Sequence, residues 1–387
     1  MTDPTAAGSV HHLIVPSNPT PNGDLHVGHL AGPYLGADVL RRAAHGRGEH
    51  ASVLLGTAWQ NTHVMLAARR QRRDYLEIAA EFAGRIERSF AAAGIGYDVM
   101  LRHTDIPDIE RVTRAAWQRL RADGTIVVRD AAAQHCDRCG RWRFQGYVEG
   151  RCPHCGSTDA AGIDCEGCGL YHDDAELLDP VCAECGTRTT PWPLRRAFLD
   201  LEPQRPWFES YLASAELGAA VQTFATTVLA GRLPSVAMTF VGELGIAVDD
   251  PGVPGQRIYP AFELAPRYAV MLERLRAAGV DPCREPYMSM IFGYDNAFER
   301  VFLFPAVLRA LGSVPFPKSM QMTFFYLLDG LKFSTSRRHL VGVRELVDTH
   351  GADAVRLYLA ATRPEAATSN FSRSACAGSA QVAAVDE

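Results

Sequence analysis

The sequence has very little lysine, because only Lys318 and Lys332 occur among its 39 basic residues and all the others are arginine. It lacks a charged-then-apolar N-terminal segment of the kind that directs secretion, and no apolar run approaches the ~20 residues that cross a bilayer. We therefore expect a cytoplasmic protein with no membrane partner. Disulfides are rare in that compartment, so the ten cysteines should be thiols or metal ligands.

Length and charge set wide limits. The 387 residues suffice for one large domain with an insertion, or for two domains, with a sizeable core. The net charge of −5 provides no general attraction for a polyanion, although it is compatible with a local basic patch.

Residues 13–38 begin with three apolar residues that predict a short buried strand. A turn containing proline and glycine follows, and His26, Val27, Gly28 and His29 then open a helical pattern. Strand, turn and helix in this order place backbone N–H groups and a helix N-terminus where an anion binds. The two histidines share one face of the first turn and can donate together to a phosphate, the alternative being ordinary structural histidines.

Apolar runs and helical spacing alternate along the chain. Residues 51–55 predict a second strand, and residues 74–93 and 106–121 have the spacing of amphipathic helices. This alternation predicts an α/β fold with a doubly wound parallel sheet. Residues 287–292 and 324–328 predict two more buried strands, and the small residues at the end of the chain predict a disordered tail.

Eight cysteines form four C-x-x-C pairs, and a glycine follows each pair directly. Glycine permits the tight turn that points backbone N–H groups at thiolate sulfurs, so the pattern predicts two tetrahedral zinc sites of four cysteines each. Disulfides or redox motifs are the alternatives. We expect the inner pairs to share one metal and the outer pairs the other, both sites being structural. The inner ligands are Cys152, Cys155, Cys165 and Cys168, and the outer ligands are Cys136, Cys139, Cys182 and Cys185.

A lysine and several hydroxyl side chains occur together in residues 332–336, which read Lys-Phe-Ser-Thr-Ser. Such a loop can clamp a triphosphate as charge builds on the leaving pyrophosphate, whereas a solvated serine-rich loop is the alternative. Because lysine is so scarce in this chain, we favour the functional interpretation for Lys332.

Taken together, these motifs resemble those of class I aminoacyl-tRNA synthetases. His26-Val27-Gly28-His29 resembles the HIGH signature, and residues 332–336 resemble KMSKS with Thr335 in place of its second lysine. Pro19, the knuckles and residues 351–358 are similar to the methionyl-tRNA synthetase branch, and the resemblance covers residues 13–372.

The resemblance implies a Rossmann-like core that joins a carboxylate to the α-phosphate of ATP, with ATP, Mg²⁺ and two structural Zn²⁺ as cofactors. His26, His29 and Lys332 would stabilise the phosphate charge. Asp295 would accept from the ribose, although an Asp at this point can equally cap a helix. The expected ATP-binding residues are Pro19, Gly28, Asp295, Ser334, Thr335 and Ser336.

The expected domains follow the same resemblance. Residues 1–125 hold the first half of the core, and residues 126–230 hold a connective insertion with the zinc knuckles. Residues 231–340 hold the second half, and residues 341–387 hold a truncated C-terminal helical segment and tail. No helical bundle of the kind that grips an anticodon follows residue 372, so we do not expect tRNA as a partner.

The expected substrate site departs from the family. Ala58 stands where the family has the aspartate that holds the substrate ammonium, and Asn18 and Thr20 replace Leu and Tyr. Glu299 and Arg300 lie on a helix whose pocket-facing family residues are mostly apolar, the alternative being a surface salt bridge. The predicted substrate-binding residues are Ser17, Asn18, Thr20, Ala58, Asn296, Glu299 and Arg300.

Our main hypothesis is therefore an ATP-dependent ligase that adenylates an amino acid or related polar carboxylic acid. It would pass the acyl group to a small-molecule hydroxylamine or amine, with a cupin-type protein as partner. Proteins of this resemblance act in natural-product pathways, including those that build N–N bonds. The alternatives are a truncated methionyl-type synthetase that still acylates tRNA, and a non-catalytic binding protein.

Overall fold

The computed structural model describes residues 10–282, 286–312, 315–333 and 339–383. Its centre is a six-stranded sheet in which every neighbouring pair is parallel. In spatial order the strands are Glu216–Leu217, Pro317–Thr323, Tyr287–Gly293, His11–Pro16, His50–Gly56 and Val99–Leu101.

Helices cover both faces of this sheet. Alternate side chains of the first strand enter two separate cores, with Leu13 and Val15 in one and Ile14 in the other. This confirms the predicted doubly wound α/β fold. The helices of eight or more residues are Leu35–Gly46, Thr62–Gln71, Tyr75–Ala92, Ile106–Ala122, Arg205–Ser214, Ala219–Ala230, Leu264–Ala277, Phe304–Leu311, Val343–His350, Ala352–Ala361 and Arg373–Ala383.

The zinc-knuckle region grows from a long antiparallel hairpin. Ile126–Cys136 pairs with Thr190–Asp200, and Arg141–Arg143 and Ser235–Ala237 complete a four-stranded sheet. A second small sheet carries the intervening knuckles and is formed by Val148–Arg151, Ala160–Ala161, Asp164–Cys165 and Leu178–Cys182. The exact domain boundaries stay a prediction, since Glu216–Leu217 pairs with the central sheet and Ser235–Ala237 with the hairpin.

The structure corrects two expectations near the C-terminus. The strand predicted at residues 324–328 is present as Tyr326–Leu328, but it pairs with Leu331–Lys332 and Ser369–Phe371 in a separate sheet, and the central sheet contains Pro317–Thr323 instead. Pro317–Thr323 contains polar residues, so it lacks the apolar run that predicts a buried strand. The predicted disordered tail is also wrong up to residue 383, because it forms a helix whose Cys376 is buried in the second core.

Two pairings bring distant segments to the carboxyl edge of the sheet. The Val27 amide donates to the Val341 carbonyl, and the Val343 amide donates to the Leu25 carbonyl, so the segment after the lysine loop is fixed to the histidine turn. No helix in the described part of the chain is long and apolar enough to span a membrane.

Candidate active site

A cavity of about 400 Å³ opens at the carboxyl ends of the central strands. The strand order reverses there, between His11–Pro16 and its neighbour Tyr287–Gly293, which is where doubly wound sheets bind ligands. All the residues that were predicted to bind ATP or substrate, and that the structure describes, line this cavity. They are Ser17, Asn18, Pro19, Thr20, His26, Gly28, His29, Ala58, Asp295, Asn296, Glu299, Arg300 and Lys332. Ser334, Thr335 and Ser336 lie outside the described residues.

The two histidines stack at the start of the first helix. Their ring centroids are 3.7 Å apart, and Phe333 stacks on His26 at 4.6 Å. A Cβ at Gly28 would lie 3.0 Å from both His26 Nδ1 and the Phe333 ring. Glycine at this position therefore permits the aromatic ring to close on the histidine turn.

Both imidazoles are neutral near pH 7. Although His29 has an exposed surface, desolvation by the cavity walls lowers its pKa to about 4. Burial, followed by the neighbouring His29, holds the pKa of His26 well below its usual value. Neutral rings each retain one N–H that can donate to a phosphate oxygen, so they can bind an anion without carrying charge themselves.

Lys332 reaches the cavity from the side of the zinc-knuckle region. Its Nζ lies 2.9 Å from both Asp159 Oδ2 and Glu166 Oε2, and 4.4 Å from the centre of the Phe325 ring. These contacts connect the lysine loop to the chain around the inner knuckle. In this arrangement the ammonium is paired with two carboxylates.

Asp295 lies just beyond the strand Tyr287–Gly293 and lines the cavity. Although Asp295 has an exposed surface, desolvation by the cavity walls, and next the charge of Glu166, raises the pKa of its carboxyl to about 6. The side chain is thus ionised at neutral pH and can accept a hydrogen bond from a sugar hydroxyl.

Glu299 and Arg300 begin a single turn of π-helix, Glu299–Leu303. Tyr259 donates its hydroxyl hydrogen to Glu299. Arg300 is only 5% exposed, and burial lowers its pKa to about 10. The alternative of a surface salt bridge is therefore wrong, since Arg300 is buried and forms no ion pair with any described residue.

The sequence did not identify Glu263 and Arg267, a buried pair that also lines the cavity. Arg267 Nε lies 3.4 Å from Glu263 Oε2, and its NH1 donates to the Thr57 carbonyl at 3.2 Å. The guanidinium carbon lies 3.9 Å from the centre of the Trp59 ring. The available signal was a charged pair four residues apart within an otherwise apolar stretch.

Asn18 and Ala58 are held by backbone bonds around the second strand. Asn18 Oδ1 accepts from the Gly56 amide at 3.1 Å, and the Ala58 amide donates to the Pro19 carbonyl at 2.9 Å. Asn18 thus joins the ends of two strands, and Ala58 presents only a methyl group to the cavity.

The eight knuckle cysteines gather in two groups, one from the outer and one from the inner pairs. Neighbouring Sγ atoms lie 3.5 to 3.9 Å apart, and the edge of a zinc–thiolate tetrahedron is about 3.8 Å because the Zn–S bond is about 2.3 Å. The four glycines after the pairs have φ between 61° and 74°, as the predicted turns require. The His154 and Gly167 amides donate to Cys152 and Cys165 sulfurs. The sulfur atoms therefore fit two tetrahedral metal ions.

The fold is a Rossmann-like doubly wound sheet with a cavity at its carboxyl edge and an inserted cysteine-knuckle region. The profile of class I tRNA synthetases (M) matches residues 12–381, so the chain belongs to that family.

Similar proteins support this assignment. Methionine–tRNA ligase of Roseiflexus sp. (strain RS-1) is 30% identical over 379 residues, which is 93% of this chain and 64% of that protein. The ligase of Thermomicrobium roseum is 29% identical over 365 residues, 91% of this chain and 62% of its own length. The chain thus spans somewhat less than two thirds of these relatives. Mycobacterium tuberculosis methionyl-tRNA synthetase in complex with methionyl-adenylate shares the fold, with a TM-score of 0.72, 19% identity, and coverage of 95% of this chain and 68% of that one.

Proposed function

We propose that the protein activates a carboxylic acid with ATP. A carboxylate oxygen attacks the α-phosphorus, the bond from that phosphorus to the bridging oxygen breaks, and pyrophosphate leaves with the electron pair. The observation that carries this proposal is the meeting of His26, His29, Asp295 and Lys332 in one cavity. Family membership supports it, because the relatives from Roseiflexus and Thermomicrobium are named methionine–tRNA ligases.

Each of these residues has a proposed part. The neutral histidines donate to phosphate oxygens, and Lys332 supplies positive charge as the pyrophosphate leaves. Asp295 accepts from the ribose and fixes the nucleotide, so that positioning supplies much of the rate. Mg²⁺ that accompanies ATP would supply further positive charge beside the phosphates, next to the donors His26, His29 and Lys332.

We propose that the acid is polar and is not methionine. Ala58 offers no carboxylate for an ammonium group, while Glu299 and Arg300 place charge on the cavity wall. A thioether in such a pocket leaves buried charged groups without hydrogen bonds, which penalises binding.

The two cysteine clusters hold structural zinc, since protein sulfurs fill all four positions of each site.

We propose a small hydroxylamine or amine as acceptor, in a natural-product pathway that includes N–N bond formation and a cupin-type partner. The net charge of −5, which offers no general attraction for a polyanion, supports a small acceptor. Acylation of tRNA is the second candidate, and the names of the relatives favour it. Charging assays with total tRNA separate the two, since a radiolabelled acyl-tRNA product would support the second.

Pyrophosphate exchange across a panel of acids tests adenylation directly. We expect exchange with polar acids in the wild type and a loss of about 100-fold or more in His29→Ala, because one preorganised donor is removed. His50→Ala, at an exposed position outside the cavity, is the matched control and should retain activity. Exchange with methionine alone would contradict the polar pocket, and no exchange with any acid would support a non-catalytic binding protein.

A further inference from the structure

Arg300 is a buried cation for which the described part of the chain provides no partner. Its Nε is enclosed and makes no hydrogen bond, and no described carboxylate forms an ion pair with it. The side chain nevertheless lines the cavity. Burial of an unpaired charge is costly, so the position indicates that an anion supplied from outside the chain completes it.

Carboxylates elsewhere in the cavity already have partners. Glu299 accepts from the Tyr259 hydroxyl, Glu263 forms an ion pair with Arg267, and Glu166 forms one with Lys332. Asp295 is the fourth carboxylate of the lining, and the proposed function assigns it to the ribose. None of these groups reaches ion-pair distance of Arg300 among the described residues. We therefore expect an anionic ligand, and not a rearranged side chain, to pair with Arg300.

A second guanidinium reinforces this argument. Burial is the main cause that lowers the pKa of Arg300, the charge of Glu299 partly opposes it without an ion pair, and the charge of Arg267 adds to it. Arg267 is itself buried beneath Trp59. Its alignment with Glu263 is imperfect, since Arg267 Nε and both Glu263 oxygens make no hydrogen bond. Two neighbouring cations repel each other, and an anion bound between them removes that repulsion.

We propose that Arg300, with Arg267 beside it, binds a second carboxylate on the acid substrate, so that the protein activates a dicarboxylic acid. This inference rests on the proposed adenylation function. A guanidinium can bind a carboxylate through two parallel hydrogen bonds, which gives both affinity and orientation. An acid whose second carboxylate is replaced by an amide or a thioether leaves Arg300 unpaired and is rejected.

Isothermal titration calorimetry, in which defined acids are added to the full chain, tests the inference. The ligands are L-glutamate, L-aspartate and glutarate, compared with L-glutamine and L-methionine. We expect at least one dicarboxylate to bind about tenfold or more tightly than the amide and the thioether. Arg300→Met should remove this preference, and Arg300→Lys should retain part of it. Arg309→Met, at an exposed position on the following helix, is the matched control.

Several results would overturn the inference. These are equal binding of glutamine or methionine, a preference that survives in Arg300→Met, binding of no dicarboxylate, or an Arg300→Met variant that loses ATP affinity instead. The comparison of glutamate with glutamine uses the wild type, so it stands even where a variant fails to fold. Pyrophosphate exchange separates the two proposals. Dicarboxylate binding without exchange would reject adenylation alone, whereas exchange with monocarboxylic acids only would reject the dicarboxylate site alone.

Discussion

Lys332 is paired with two carboxylates, and releasing it from them should accelerate the proposed adenylation. Its Nζ lies 2.9 Å from both Asp159 and Glu166, whose side chains are 54% and 49% exposed. An ion pair of this exposure contributes about 0.5 kcal/mol. If the lysine leaves both partners to reach ATP, their removal lowers the barrier by about 1 kcal/mol, which is about fivefold in rate.

The double variant Asp159→Asn, Glu166→Gln is therefore expected to raise kcat/KM for ATP about fivefold in pyrophosphate exchange. Glu149→Gln, on an exposed position of the same knuckle sheet and without an ion pair among described residues, is the control. The difference between wild type and variant should shrink at high ionic strength, because salt screens partly exposed pairs. A variant that is slower than the wild type would refute the reasoning and show that both carboxylates position the lysine for catalysis.

Three further predictions concern the metal sites, the insertion and the nucleotide. Chelation of the metal should lower the melting temperature, and adding Zn²⁺ should restore it. Elemental analysis should find two zinc ions per chain. A single zinc ion, or iron, would contradict the assignment. Arg196→Met removes the ion-pair partner of Asp173 and Asp174. It should lower the free energy of unfolding in urea by about 3 kcal/mol, and a decrease below about 1 kcal/mol would contradict this. Because the pKa of Asp295 is about 6, its carboxylate protonates below that pH, so the KM for ATP should rise there in the wild type and not in Asp295→Asn.

Local conformation that depends on neighbouring residues could be predicted from the sequence. The C-x-x-C-G repeats specify a local turn, and the glycines do adopt the positive φ that it requires. The H-x-G-H stretch likewise predicts a helix start after a strand, which the structure places at Val27–His29. Alternating strands and helices were sufficient for the fold class, because parallel strands need crossover helices.

Contacts between distant segments could not be predicted in this way. The pairing of Lys332 with Asp159 and Glu166 joins residues more than 160 positions apart, and no local pattern encodes it. Glu263 and Arg267 have helical spacing, and a charged pair at that spacing is ordinarily an exposed one. The strand Pro317–Thr323 includes Lys318 and Gln321, so it does not have the apolar run that marks other buried strands.

The three cationic side chains that line the cavity differ in their ion pairs, and this difference affects how the two proposed ligands would bind. Lys332 and Arg267 each have carboxylate partners from the chain, whereas Arg300 has none among the described residues. ATP binding through Lys332 must break existing ion pairs, which weakens apparent ATP affinity by the free energy of those pairs. Acid binding at Arg300 breaks no pair and satisfies a buried charge. In the proposed binding mode the acid would therefore pair with Arg300 without breaking an ion pair, while ATP would have to displace the carboxylates near the inner knuckle from Lys332.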